Sequence, residues 1–283
     1  MSAVTAYAPS SAPAAGLPAL VRAELLKLRT TRLWWALLLV GMALVLLSSV
    51  LLAAIASPDT SVGGDGGGGP VLDPQAPGTL RLIYGTGFTN GYFIPLVLGI
   101  IGMTGEYRHQ TITPSLLATP RRSRLVLGKV LAYLLAGLAF GAALTATAVA
   151  GGGTVLTVRG FGLGLGAEGV GRTLLLGVLG CGVWAVFGLG LGTLVRNQVV
   201  AIVAALVVVF IVEPLASFLL GFTDVGASIA QFLPGAASGA IVAGTAPEGV
   251  TQLQWWQGAG VLTLYGLVLA AVGAALTTRR DVT

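Results

Sequence analysis

Residues 170–220 read VGRTLLLGVLGCGVWAVFGLGLGTLVRNQVVAIVAALVVVFIVEPLASFLL. A helix needs roughly 20 apolar residues to cross the hydrocarbon core of a bilayer. This stretch holds two such lengths, Val170–Leu194 and Val199–Leu220, and Arg196-Asn197-Gln198 is the only break between them. Two spans this close in sequence predict a tight hairpin. Four more stretches of the same kind lie outside it: Leu33–Ala56, Ile83–Met103, Leu125–Ala150 and Gly258–Thr277. Ile83–Met103 is the weakest, interrupted by Asn90, Pro95 and several glycines, which spans tolerate when neighbours satisfy the freed backbone groups. The expected fold is an all-α integral membrane protein with six transmembrane helices over 33–280.

Composition points the same way. The 283 residues are 55% apolar and only 9% charged, with a mean hydropathy of +0.92. Soluble domains carry about 25% charged residues, so this chain could not cover its own surface in water. The pI of 9.8 suits nucleic acid at first sight. The basic residues, however, sit at the ends of apolar spans, where membrane orientation places them and where no nucleic-acid footprint forms. Cys181 is the single cysteine, and His109 the single histidine, so neither an internal disulfide nor a metal cluster is available. Residues 1–16 are small, polar and proline-rich, without the apolar core of a signal peptide, and are expected to be a disordered tail.

Charge fixes an orientation. With the N-terminus in the cytoplasm, twelve of the fifteen Lys and Arg residues fall inside, and Arg81, Arg159 and Arg172 fall outside. Seven of the ten acids fall outside: Asp59, Asp65, Asp73, Glu168, Glu213, Asp224 and Glu248. The positive-inside rule then predicts cytoplasmic N- and C-termini. The first outer segment, Ser57–Leu82, contains GGDGGGGP and reads as a flexible linker. The second carries Gly160, Gly162, Gly164 and Gly166, but no Gly-Lys-Ser/Thr follows to make a phosphate loop. The third, Gly221–Gln257, lacks Lys and Arg and holds apolar pieces such as Phe232-Leu233-Pro234. Both a re-entrant segment and a surface loop fit it.

The inner loop between the second and third spans is the most informative. It reads GEYRHQTITPSLLATPRRSR from Gly105 to Arg124. Thr113 before Pro114 is a helix start, and Pro120 is a stop. The helix between them, Pro114–Thr119, is under two turns and exposes Leu116 and Leu117. A helix so short needs a packing partner. Glu106, Arg108 and His109 stand where the second span leaves the membrane, suited either to bonds across a subunit boundary or to a solvated turn. Ahead of the first span, Leu17, Leu20, Val21, Leu25 and Leu28 share one helical face, with Arg22 and Arg29 on another. This is a basic amphipathic helix over 17–32, suited to the inner interface, and Glu24 and Lys27 can pair at i,i+3.

These features together resemble the permease subunit of a bacterial type-2 ATP-binding-cassette exporter. The resemblance rests on the six spans, the amphipathic helix with its ELLKLRTTR and Trp34-Trp35, the EYRHQTITPSLLATP loop, Glu213-Pro214 and Phe232-Leu233-Pro234. Gln110 departs from it, since relatives often have glycine there. The resemblance implies that the short inner helix is a coupling helix seated on a separate cytoplasmic ATPase. The coupling residues would be Glu106, Arg108, Thr111, Thr113, Pro114, Leu116, Leu117 and Pro120. The connecting helix beside them would carry Glu24, Lys27 and Arg29. Two ATPase copies and a second permease chain would complete the transporter, with ATP and Mg²⁺ on the ATPases, no cofactor on this chain, and placement in the bacterial plasma membrane. The path would run between permease chains along spans two and five, which makes Asn90 and Glu213 the candidates to line it. The apolar spans suit lipophilic or amphipathic cargo.

A channel or secondary transporter is the rival reading, and it normally places ionisable groups at membrane depth. Here only Glu213 approaches that. A non-transporting scaffold would share the topology. An intramembrane enzyme finds no nucleophile to pair with His109. The glycines of the fourth span, Gly177, Gly180, Gly182, Gly188 and Gly192, suit close packing, more within the chain than between chains.

Overall fold

The computed structural model describes residues 16–58, 72–108, 122–195, 197–242 and 253–280. Every regular element among them is helical, and six helical stretches are long and apolar enough to cross a membrane. α1 (Leu17–Thr30) has Pro18 in its first turn and stops where the Thr30 and Thr31 hydroxyls donate back to the Lys27 and Leu28 carbonyls. α2 (Leu33–Ile55) is the first span. α3 (Pro77–Thr89) and α4 (Phe93–Arg108) together make the second, broken by a turn at Asn90–Tyr92. At Gly91 a Cβ would lie 2.3 Å from the Gly87 carbonyl, so the break requires glycine. α5 (Arg122–Val158) and α6 (Val170–Leu194) are the third and fourth. α7 (Gln198–Val207), a π turn (Val208–Val212) and α8 (Glu213–Leu220) form the fifth. The Asn197 side chain caps α7 by accepting from the Val199 and Val200 amides. α9 (Asp224–Ala230) and α10 (Pro234–Val242) follow, and α11 (Trp255–Arg280) closes the bundle.

α6 is the centre. It packs on α4, α5 and α11, and 72% of its most apolar stretch is buried, against 22% for the first and fifth spans. Its glycines set the distances. A Cβ on Gly188 would stand 2.1 Å from the Leu96 carbonyl oxygen, and one on Gly99 of α4 would stand 2.1 Å from the Ala185 carbonyl oxygen. The two helices therefore touch backbone to backbone, which only missing side chains permit. The glycines of the fourth span thus serve packing within the chain.

Three expectations change in detail. The second span begins at Pro77, inside what reads as linker, because Leu80, Ile83 and Tyr84 pack against Leu72, Leu156 and Val170. The fourth and fifth spans do not lie tightly side by side; the fifth leans mainly on α4. The third outer segment folds as two helices bent by 71°. The second of them, α10, is held where Trp184 Nε1–H donates to Ser238 Oγ at 2.8 Å, with Ala237 and Ile241 fully buried.

Candidate functional site

Four charged residues from three helices meet at the end of the bundle where α1 crosses α5. On α1 the residues turned toward the bundle are Leu17, Leu20, Val21, Leu25 and Leu28, with Glu24 buried among them. Leu20 sits over Gly128 of α5. A carboxylate on that face cannot reach water freely, and a buried charge needs partners.

It has two. Lys129 Nζ lies 2.6 Å from Glu24 Oε2 and 2.8 Å from Glu106 Oε1; Lys27 Nζ lies 2.6 Å from Glu24 Oε1 and 3.1 Å from the same Glu106 oxygen. Each lysine bridges both carboxylates, so the four make a closed, electroneutral ring. The Glu24, Glu106 and Lys129 side chains are at most 8% exposed, while Lys27 is 47% exposed. Burial alone would raise the Glu24 carboxyl. The charge and hydrogen bond of Lys129, then those of Lys27, outweigh that and hold it below its ordinary 4.5. Burial likewise would lower Lys27, but its bonds to Glu24 and then Glu106 carry it above its ordinary 10.5. The ring ties α1 to the end of α4 and the start of α5, the two helices that flank residues 109–121. Lys129 also stands 6.0 Å from the Tyr133 ring centroid.

Residues 20–212 match the family model described as ABC-2 family transporter protein. The chain belongs to the ABC-2 transporter family. No curated protein matches it. The family match runs from α1 through the π turn, so the whole ring lies within it and Glu213 falls just beyond. Family members are generally non-catalytic membrane subunits that work with a cytoplasmic ATPase.

In this ABC-2 chain, Glu24, Lys27 and Glu106, three of the residues named from sequence, come together in the ring. Arg29 is exposed, and its carbonyl accepts from Trp34 Nε1–H. Arg108 ends α4 and is exposed. Thr111, Thr113, Pro114, Leu116, Leu117 and Pro120 lie outside the described residues. Asn90 is exposed at the α3–α4 break. Glu213 is buried, with Oε1 accepting from the Gly235 amide at the start of α10 and Oε2 without a hydrogen-bond partner. Among the described residues no group of His, Cys, Asp and Glu could hold a metal ion.

Lys129 is the member that sequence reasoning left out, counted only as an inner charge. Two signals mark it: it interrupts the apolar run LVLGKVLAYLLAG, and Glu24 opposite it interrupts an apolar face. An ionisable group inside an apolar span calls for a named partner.

Proposed function

We propose that this chain is the permease subunit of an ATP-driven exporter, and that residues 105–124 form its dock for the ATPase. In this reading both termini are cytoplasmic in a bacterial plasma membrane. Two permease chains assemble with two ATPases, which carry the ATP and Mg²⁺. A lipophilic or amphipathic cargo crosses between the permease chains.

The observation that carries this reading is the ring. Glu106 and Lys129 stand on opposite sides of residues 109–121, the middle of that dock, and both are bound to α1 through Glu24 and Lys27. A push on that segment is thus delivered to α1, α4 and α5 as one body. α4 passes the motion to α6 through the contact at Gly99 and Gly188, where no side chain can yield. The drive comes from nucleotide binding better to the closed ATPase dimer than to the open one, since a ligand shifts an equilibrium only by its differential affinity.

The chain is purified from native membrane in mild detergent, and its partners are identified. A stoichiometric soluble ATPase is expected, and Leu116→Asp is expected to lose it. Glu106→Ala is expected to insert normally and to hydrolyse ATP without transport. Normal transport by both variants would remove the coupling assignment, and a well-folded chain without an ATPase would favour a channel, carrier or scaffold.

A further inference from the structure

Beside the ring, a cavity of about 760 Å³ opens between the α1–α2 corner and α4. Its polar border holds Glu24, Glu106, Lys27, Arg32 and Arg108. The two carboxylates are already matched by Lys27 and Lys129 in the ring. Arg32 and Arg108 are exposed and pair with no carboxylate among the described residues. The sequence that follows Arg108, residues 109–121, contains no Asp or Glu, and neither do residues 1–15. Among the described residues, the cavity therefore carries two positive charges that no carboxylate pairs.

Its remaining wall is mostly apolar, with Leu28, Leu33 and Trp34 on one side and Leu98 and Ile101 of α4 on the other, and Thr31, Tyr133 and Gln198 are its other polar groups. Ile101 and then Leu98 lie progressively deeper along α4 from Arg108, at about 1.5 Å of rise per residue. Gly105, also in the lining, faces open space: a Cβ there would meet nothing within 4 Å. The site is thus a cationic mouth above an apolar trough. It lies at the end of the spans where positive-inside orientation puts the inner leaflet.

We propose that this cavity binds an anionic phospholipid of the inner leaflet, its phosphate between Arg32 and Arg108 and an acyl chain against Leu98 and Ile101. Charge selects this occupant. A zwitterionic lipid would bring its own cation against the two arginines, and a second copy of this chain would bring the same basic mouth. Basic pockets between spans on the cytoplasmic side are suited to anionic headgroups, at about fivefold in affinity per basic residue. The inference uses the positive-inside orientation and does not depend on transport, so a failure of the exporter reading would leave it standing.

The test places the full chain in phosphatidylcholine vesicles doped with a photoactivatable phosphatidylglycerol or, separately, a photoactivatable phosphatidylcholine, and maps the adducts. Phosphatidylglycerol is expected to label the wall near Trp34, Leu98 and Ile101 roughly 25-fold more than phosphatidylcholine, at about fivefold for each arginine. Arg32→Gln should lower that labelling about fivefold, and Arg32→Gln with Arg108→Gln should bring it to the phosphatidylcholine level. Arg32→Lys should retain it. Gly105→Leu, which keeps both arginines and fills the trough, should reduce labelling by both probes. Each variant is first checked for insertion and helix content. Equal labelling by the two probes, or phosphatidylglycerol labelling unchanged in the double arginine variant, would overturn the proposal, and Arg32→Lys with Gly105→Leu decides it should the double variant not insert.

Discussion

Glu24 and Glu106 sit at one end of the bundle and share two lysines, so four charges sum to zero and every pair lies within 3.1 Å. Glu213 sits toward the other end, where one oxygen meets the Gly235 amide and the other meets no donor. Both sites bury carboxylate in an apolar bundle. The ring is complete within the chain and holds three helices in one arrangement. The Glu213 site leans on a backbone amide and leaves an acceptor open, so it holds α10 more weakly. The comparison separates a fully paired buried carboxylate site from a half-paired one.

Lys129→Met tests the ring most severely. It leaves two buried carboxylates to the half-exposed Lys27, and breaking a buried pair costs about 3–5 kcal/mol. Thermal unfolding in detergent should show that loss, and Glu24→Gln added to Lys129→Met should recover much of it. A loss under about 1 kcal/mol would put the ring on the same footing as Glu213.

Glu213→Ala should cost less, about 1 kcal/mol, the usual worth of a side chain capping a helix start. Glu213→Gln keeps an oxygen for Gly235 and removes the charge, so it should cost less again. If Glu213→Gln destabilises as much as Lys129→Met, the open oxygen has a partner in the assembled protein and the contrast fails.

The smallest effect is in pH. Glu24 is held below its ordinary value, so its contribution is complete above about pH 4.5 and is lost as pH falls through the lowered value. Lys27 is held above its ordinary value, so its contribution is complete below about pH 10.5 and is lost as pH rises through the raised value. The melting temperatures of wild type and Glu24→Gln should differ across that window and converge on its acid side. A constant difference down to pH 2 would mean that Glu24 acts by packing alone.

The spans were legible because a run of some 20 apolar residues has few other uses. Which of them forms the core was not legible from hydropathy. The fifth span is the most apolar and is 22% buried over its most apolar stretch, whereas the less apolar fourth is 72% buried. Lipid and protein interior are equally dry, so a hydropathy scale cannot tell them apart. Glycine spacing can, because a stripe without side chains is useful only where another backbone arrives. At the ring, the i,i+3 pair of Glu24 and Lys27 was readable from the sequence. The bond from Lys129 to Glu24 joins residues 105 apart, beyond the reach of any local pattern. Pro77–Leu82 reads as linker because it continues the segment that holds GGDGGGGP, although its helix is buried through Thr79 and Leu80.

The π turn at Val208–Val212 has a consequence for the face that the fifth span presents. Its closing bond runs from the Glu213 amide to the Val208 carbonyl, one residue wider than an α-helical bond. An α-helix advances about 100° per residue, and the wider turn takes up one extra residue, so a wheel drawn at that angle from Gln198 through the whole span misplaces everything after the turn by about that amount. Removing one residue from Val208–Val212 would restore a regular screw and leave Glu213 facing Gly235, whereas tightening the turn with all its residues kept would swing Glu213 a quarter-turn or more away. The span is in effect two helices of different phase on one axis, and that phase step decides which residues look inward at each end.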